Sequence, residues 1–230
     1  MKIGRHTHRL TVLCLASFTA FAADAWRPTI VPANFTHIVN NPWFPLVPGT
    51  TAVFHEQNGR ERRENKVSVT HETKIILGVK CVVVHETVAL DGALLEDTYD
   101  WFAQDRQGAV WHFGEATKEF KSGGRVSTDG SWEVGVNDAQ PGIVMPARPK
   151  VGERYRQNYL AHVAEDIGQI VTLDETITVP AGTYPGCVRV REWSMLESGT
   201  SKKWYATGVG LIRAESTDGE VTTLVSLTRK

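Results

Sequence analysis

VSVTHETKIILGVKCVVVHE (residues 67–86) and IVTLDETITVPAGTYPGCVRVRE (residues 170–192) read as two versions of one piece of chain. In each, alternating residues lead to a Glu-Thr pair (Glu72-Thr73, Glu175-Thr176), a turn follows, and a cysteine (Cys81, Cys187) opens the next alternating run. Alternation of Val, Ile and Thr with polar residues fits a strand whose two faces meet different surroundings, and neither stretch keeps a helical period. The likeness continues downstream, where DWFAQDRQGAVWHFGE (residues 100–115) parallels KWYATGVGLIRAE (residues 203–215), with Trp101-Phe102-Ala103 against Trp204-Tyr205-Ala206. Four features in one shared order predict two diverged repeat-like units, about 64–116 and 168–216.

Outward from these units the same alternation predicts strands at 50–57, 64–73, 80–89, 94–104, 109–115, 154–161, 168–179, 186–196, 201–207, 210–216 and 220–228. The gaps between them are too short for helical crossovers, so the connections are hairpins and the pairing antiparallel. The predicted fold class is all-β and antiparallel: a large curved sheet or an open, clam-like barrel from two diverged meander repeats, forming a single β domain over 50–230. Residues 120–153 lie between the units and are rich in Gly and Pro. Because they also carry Trp132, Ile143, Val144 and Met145, they read as an ordered loop laid over the sheet. Residues 26–49 carry Pro at five places and the aromatics Trp26, Phe35, Trp43 and Phe44, and predict an irregular N-terminal arm packed on the body.

The first 25 residues have the layout of a secretory signal peptide. Lys2, Arg5 and Arg9 precede an apolar run from Leu10 to Phe21, and the small residues after it place cleavage after Ala22 or Ala25. The run is short of the roughly 20 residues that a spanning helix needs, and no later segment is apolar enough to span a bilayer, so no stable membrane insertion is expected. Removing Lys2, Arg5, Arg9 and Asp24 leaves 22 basic residues against 25 acidic ones. That balance disfavours nucleic acid as a partner. Export to the periplasm or beyond exposes the two remaining cysteines, Cys81 and Cys187, to oxidation, and a disulfide between them is the expectation.

Charged differences between the units point to a site. His85 in the first stands where Arg191 stands in the second, and Asp100 where Lys203 stands. Folding the first hairpin about Asp91-Gly92 places His85 opposite Thr98 and puts His85, Glu96 and Asp100 on one face. A second turn over Asp105 to Gly108 then brings Glu115 opposite Thr98, with Trp111 and Phe113 beside the patch. One imidazole and three carboxylates are the equipment of an acid–base pair or of a divalent cation site, and also what a solvated sheet face ordinarily carries. The register of the second hairpin is open by one residue, and a slip would send Glu115 to the other face. Trp111, Phe113, Trp132, Arg191 and Lys203 are the candidate ligand contacts. The sequence has no nucleophile elbow, zinc-protease helix, phosphate loop or redox Cys pair, and nothing in it calls for a cofactor.

The strings DWFAQDRQGAVWHFGE, GSWEVGVNDAQPGIVMPA and KKWYATGVGLIRAE resemble those of a family of exported bacterial β-rich proteins marked by WFAQD-x-x-G-x-V-W-x-FGE and PGI-x-MPA, over roughly Phe44 to Leu227. That resemblance implies bacterial export and carries no catalytic residue across. Three functions remain in play: a secreted or periplasmic protein that binds an apolar or carbohydrate-like small molecule, a hydrolase or related enzyme using the carboxylate/His cluster (with or without a metal), and a structural domain of the cell envelope. A cavity lined by aromatics favours the first.

Overall fold

The computed structural model describes residues 26–196 and 198–229. The expected signal peptide falls outside them. Among the described residues there are sixteen strands: β1 (Phe35–Thr36), β2 (Thr50–Asn58), β3 (Glu61–Ile76), β4 (Val79–Leu90), β5 (Ala93–Asp105), β6 (Val110–Lys121), β7 (Arg125–Ser127), β8 (Trp132–Glu133), β9 (Gln140–Met145), β10 (Arg154–Arg156), β11 (Asn158–Tyr159), β12 (Asp166–Val179), β13 (Gly182–Ser194), β14 (Ser201–Ala206), β15 (Gly210–Ser216) and β16 (Val221–Arg229). Two short 3-10 turns, at Pro32–Asn34 and Ser122–Gly124, are the helical content among the described residues. No helix among them is long and apolar enough to cross a membrane.

The strands run in the order β10-β12-β13-β14-β15-β16-β2-β3-β4-β5-β6-β9-β11, every pairing antiparallel. The result is the all-β antiparallel architecture that alternation predicts, curled into a nearly closed barrel. Its two ends are consecutive pieces of one segment, since β10 pairs with β12 and β11 pairs with β9. Segment 154–159 thus crosses the gap and leaves one unsealed seam. Gly142 on β9 permits this approach: a Cβ there would sit 2.3 Å from the Gln157 carbonyl carbon. Where a loop over the sheet is expected between the units, β7, β8 and β9 instead share the edge of β6 and extend the sheet itself.

Alternation sorts the side chains into an interior and two outer cores. Val69, Val82, Val84, Phe102, Val110, Met145, Ile170, Val188, Val190 and Tyr205 point inward and pack together. On the outside of β4 to β6, Cys81, Val83, Trp101, Ala103 and Phe113 pack beneath the N-terminal arm and the 130–139 segment. On the outside of β13 to β15, Cys187, Trp204, Ala206 and Ile212 form a third cluster. The two cysteines therefore belong to different cores, and both are free thiols. This corrects the expected disulfide: alternation buries each sulfur on the outer face of its own half, and burial pushes the Cys81 thiol up to about 12.

The arm packs its aromatics onto the body. Trp26 stacks on Trp111 at 6.4 Å, and Phe35 meets Trp111 and Phe113 edge-on. The chain then turns inward, where Phe44 lies 5.5 Å from Phe102 and 6.1 Å from Tyr205. Buried Asn41 fixes this plug, donating to the carbonyls of Gly108 and Pro146, while Gln104 Oε1 accepts from the backbone N–H groups of Asn40 and Asn41.

Candidate functional site

Inside the barrel is a cavity of about 660 Å³. Its wall mixes apolar side chains, among them Phe44, Leu46, Phe54, Val67, Phe102 and Leu211, with polar and ionisable ones. The polar set is Asn65, Glu86, Asp100, His112 and Glu115, with Glu192 and Lys203 also facing in. Burying so many ionisable groups is costly unless each has a partner or a purpose.

Two β-bulges decide which groups reach the interior. In the β4–β5 hairpin Ala89 pairs with Leu94 as the turn requires, but the next pair is Val88 with Glu96, leaving Leu95 extra. From there on, His85 pairs with Tyr99 and Glu86 with Thr98. That shift of one residue sends His85 to the outer face, away from Asp100, and brings Glu86 inward. In the β5–β6 hairpin, Phe102 pairs with His112 and Trp101 with Gly114, leaving Phe113 extra. Beyond this bulge Asp100 pairs with Glu115. His112 and Glu115, three residues apart, would point to opposite faces of a regular strand. The bulge points both at Asp100.

The expected convergence of His85, Glu96, Asp100 and Glu115 therefore forms only for Asp100 and Glu115. His85 is held on the outside, 2.6 Å from Asp97 Oδ1 and stacked on Tyr99 at 4.3 Å. Glu96 accepts a 2.8 Å hydrogen bond from Thr98 and lies toward the end of the sheet, off the cavity wall. Trp111 and Phe113 belong to the outer core, Trp111 donating to Asp105. Trp132 backs the site, its indole donating to Glu115 Oε1 at 3.1 Å and its ring standing edge-on to His112 at 5.0 Å. Arg191 is exposed over Trp193. Lys203 lines the cavity, 2.6 Å from Glu192 Oε2, and Gln157 donates to the other oxygen of that carboxylate.

Reading from sequence misses His112 and Glu86. The signal for His112 was present, since a glycine inside a strand pattern (Phe113-Gly114-Glu115) marks a bulge. Its imidazole stacks on Phe102 at 4.7 Å. Nε2 lies 3.1 Å from Asp100 Oδ1 but out of line for a hydrogen bond, so this buried nitrogen has no aimed partner. Burial pulls the His112 pKa down, yet the contact with Asp100 and the charges of Asp100 and Glu115 outweigh it and leave it raised. Burial lifts Glu115 to about 7, with Asp100 adding to the rise and His112 and Trp132 opposing it. Burial likewise lifts Glu86 to about 7, helped by Asp100 and resisted by the hydrogen bond from Asn65. Glu192, by contrast, is compensated by Lys203, whose own pKa it raises.

A DUF3108-like family model matches residues 161–229, which span β12 to β16. None of the curated proteins matches. Two solved structures are similar. One is described as an exported protein with a YmcC-like fold from Bacteroides fragilis, 15% identical, covering 81% of this chain and 99% of its own, with a TM-score of 0.48. The other is described as a lipoprotein from Parabacteroides distasonis, 16% identical, covering 81% of this chain and 98% of its own, with a TM-score of 0.45.

Proposed function

We propose that this protein is an exported small-ligand-binding barrel that takes the apolar part of an amphipathic molecule into its interior and sets the polar end against the charged wall. The single observation that carries this reading is the 660 Å³ cavity whose lining combines apolar and titratable side chains. Specific ligand sites are typically concave and mostly apolar with a few convergent polar groups, and a volume of this order suits a small molecule. The polar wall is net acidic, which favours a polar end carrying donors or positive charge. The leader read in residues 1–25 supports an extracytoplasmic setting, where apolar molecules need a carrier across water.

Titration with a neutral naphthylamine dye, whose emission rises in apolar surroundings, tests this. One saturable site per chain is expected, weakened when the wall is narrowed by Ala52→Phe. Emission that rises without saturation, or that ignores Ala52→Phe, contradicts it. A second reading, a hydrolase using the same groups for acid–base work, is favoured by the convergence of Asp100, His112 and Glu115 within 4.8 Å. On that reading Asp100→Asn abolishes turnover of a cleaved ligand while leaving dye binding intact.

The two halves also support a reading as a duplicated unit. Trp101 and Phe102 flank the bulge at Phe113, and Trp204 and Tyr205 flank a matching one at Ile212. On this reading Asp100 and Lys203 are the same position given opposite charge, and Leu211 is the counterpart of His112.

A further inference from the structure

We infer that Asp100, His112 and Glu115 form a binding site for a first-row divalent cation such as Zn²⁺ or Mn²⁺, placed at the polar wall of the cavity. One ligand atom from each lies within 4.8 Å of the others. A cation bound by nitrogen and carboxylate oxygen at roughly 2.0–2.2 Å sets neighbouring donors about 3–4 Å apart, so small side-chain rotations close the shell.

The second observation is the imidazole itself. His112 is 8% exposed, and its Nε2 faces the two carboxylates with no aimed hydrogen bond. A buried polar atom left in that state calls for a partner. The ring is also held in place by its neighbours: Phe102 stacks on it and Trp132 closes its edge. Trp132 additionally orients Glu115.

Charge points the same way. Among the described residues Asp100 has His112 as its ion-pair partner, and Glu115 accepts the neutral Trp132 indole. Lys203 is engaged with Glu192 instead. Two carboxylates, with Glu86 beside them, thus face one imidazole, and a divalent cation offsets what the protein leaves unpaired. The mixed donor set, one nitrogen and two carboxylates, suits zinc or manganese better than calcium or magnesium, which favour oxygen alone. Three protein ligands leave coordination positions open to the cavity, where a polar end of a bound molecule can reach the ion.

This site does not depend on the cavity holding an apolar ligand. The test is calorimetric titration of chelator-treated, purified protein with Zn²⁺ or Mn²⁺ alone, with Co²⁺ absorption as a report on nitrogen and oxygen ligation. One equivalent per chain is expected, with affinity lowered by about tenfold or more in Asp100→Asn and in His112→Gln. His85→Gln and Asp97→Asn, which remove the outer-face pair, should bind as the parent does. Asp100→Asn is close to isosteric, so it decides the matter even if His112→Gln does not fold, with near-ultraviolet circular dichroism as the check on folding. Absence of stoichiometric binding, or binding unchanged by Asp100→Asn, overturns the proposal. Dye titration of the metal-free protein separates its fate from that of the ligand reading.

Discussion

Glu86 is the residue whose burial has the plainest energetic consequence. Its carboxyl is lifted from 4.5 to about 7, chiefly by burial. As pH rises above 4.5 the unfolded chain ionises first, so the folded state is penalised progressively until about 7 and by a constant amount beyond. In metal-free protein Glu86→Gln should therefore stabilise by about 2 kcal/mol near pH 8, after allowance for the group's partial exposure, and by almost nothing near pH 4. Urea denaturation at the two pH values checks this, and Gln keeps an acceptor for Asn65. The two thiols give a second expectation. Buried in separate cores, Cys81 and Cys187 should both resist iodoacetamide in the folded protein and both react once it is unfolded without reductant. A mass consistent with one disulfide would contradict the arrangement. Compartment chemistry argued for that bond, but pairing also requires proximity, which residue spacing does not encode.

At the scale of the element, parity governs the site, and parity is what sequence reading handles worst. Every strand of seven residues or more was legible from alternation. So was the shared face of Asp100 and Glu115, although Glu115 lies opposite Asp100 and not opposite Thr98 as expected. His85 was misplaced because Leu95 bulges within the first hairpin, and one extra residue exchanges the faces of all that follows. Glu86 was hidden by the same shift. His112 was hidden because its odd spacing from Glu115 argues against a shared face until Phe113 is recognised as extra. Gly114 sustains that second bulge. Its φ is +134°, and a Cβ would meet the Trp132 carbonyl oxygen, a backbone atom that cannot step aside cheaply. Gly114→Ala should cost roughly 2–4 kcal/mol in urea denaturation. In the same variant divalent cation binding should fall, because His112 and Glu115 no longer share a face.

For the whole molecule, closure creates the cavity. A sheet of this order curls until its ends meet at segment 154–159, and the plug around Phe44 fills part of the lumen and leaves the rest open. The alternation of the strands announced a curved sheet. It could not announce closure, which depends on Gly142 admitting the 156–157 backbone across the seam. Ala52 lines the cavity and also packs against the third core, so Ala52→Phe should cost about 1–3 kcal/mol in urea denaturation while weakening dye binding. The most direct measurement of ligand binding is native mass spectrometry of the protein isolated from its own cells. A chain carrying a retained small-molecule mass, reduced in Ala52→Phe, is the predicted result. A bare polypeptide mass under the gentlest conditions, from protein that also fails to saturate with the dye, would contradict it.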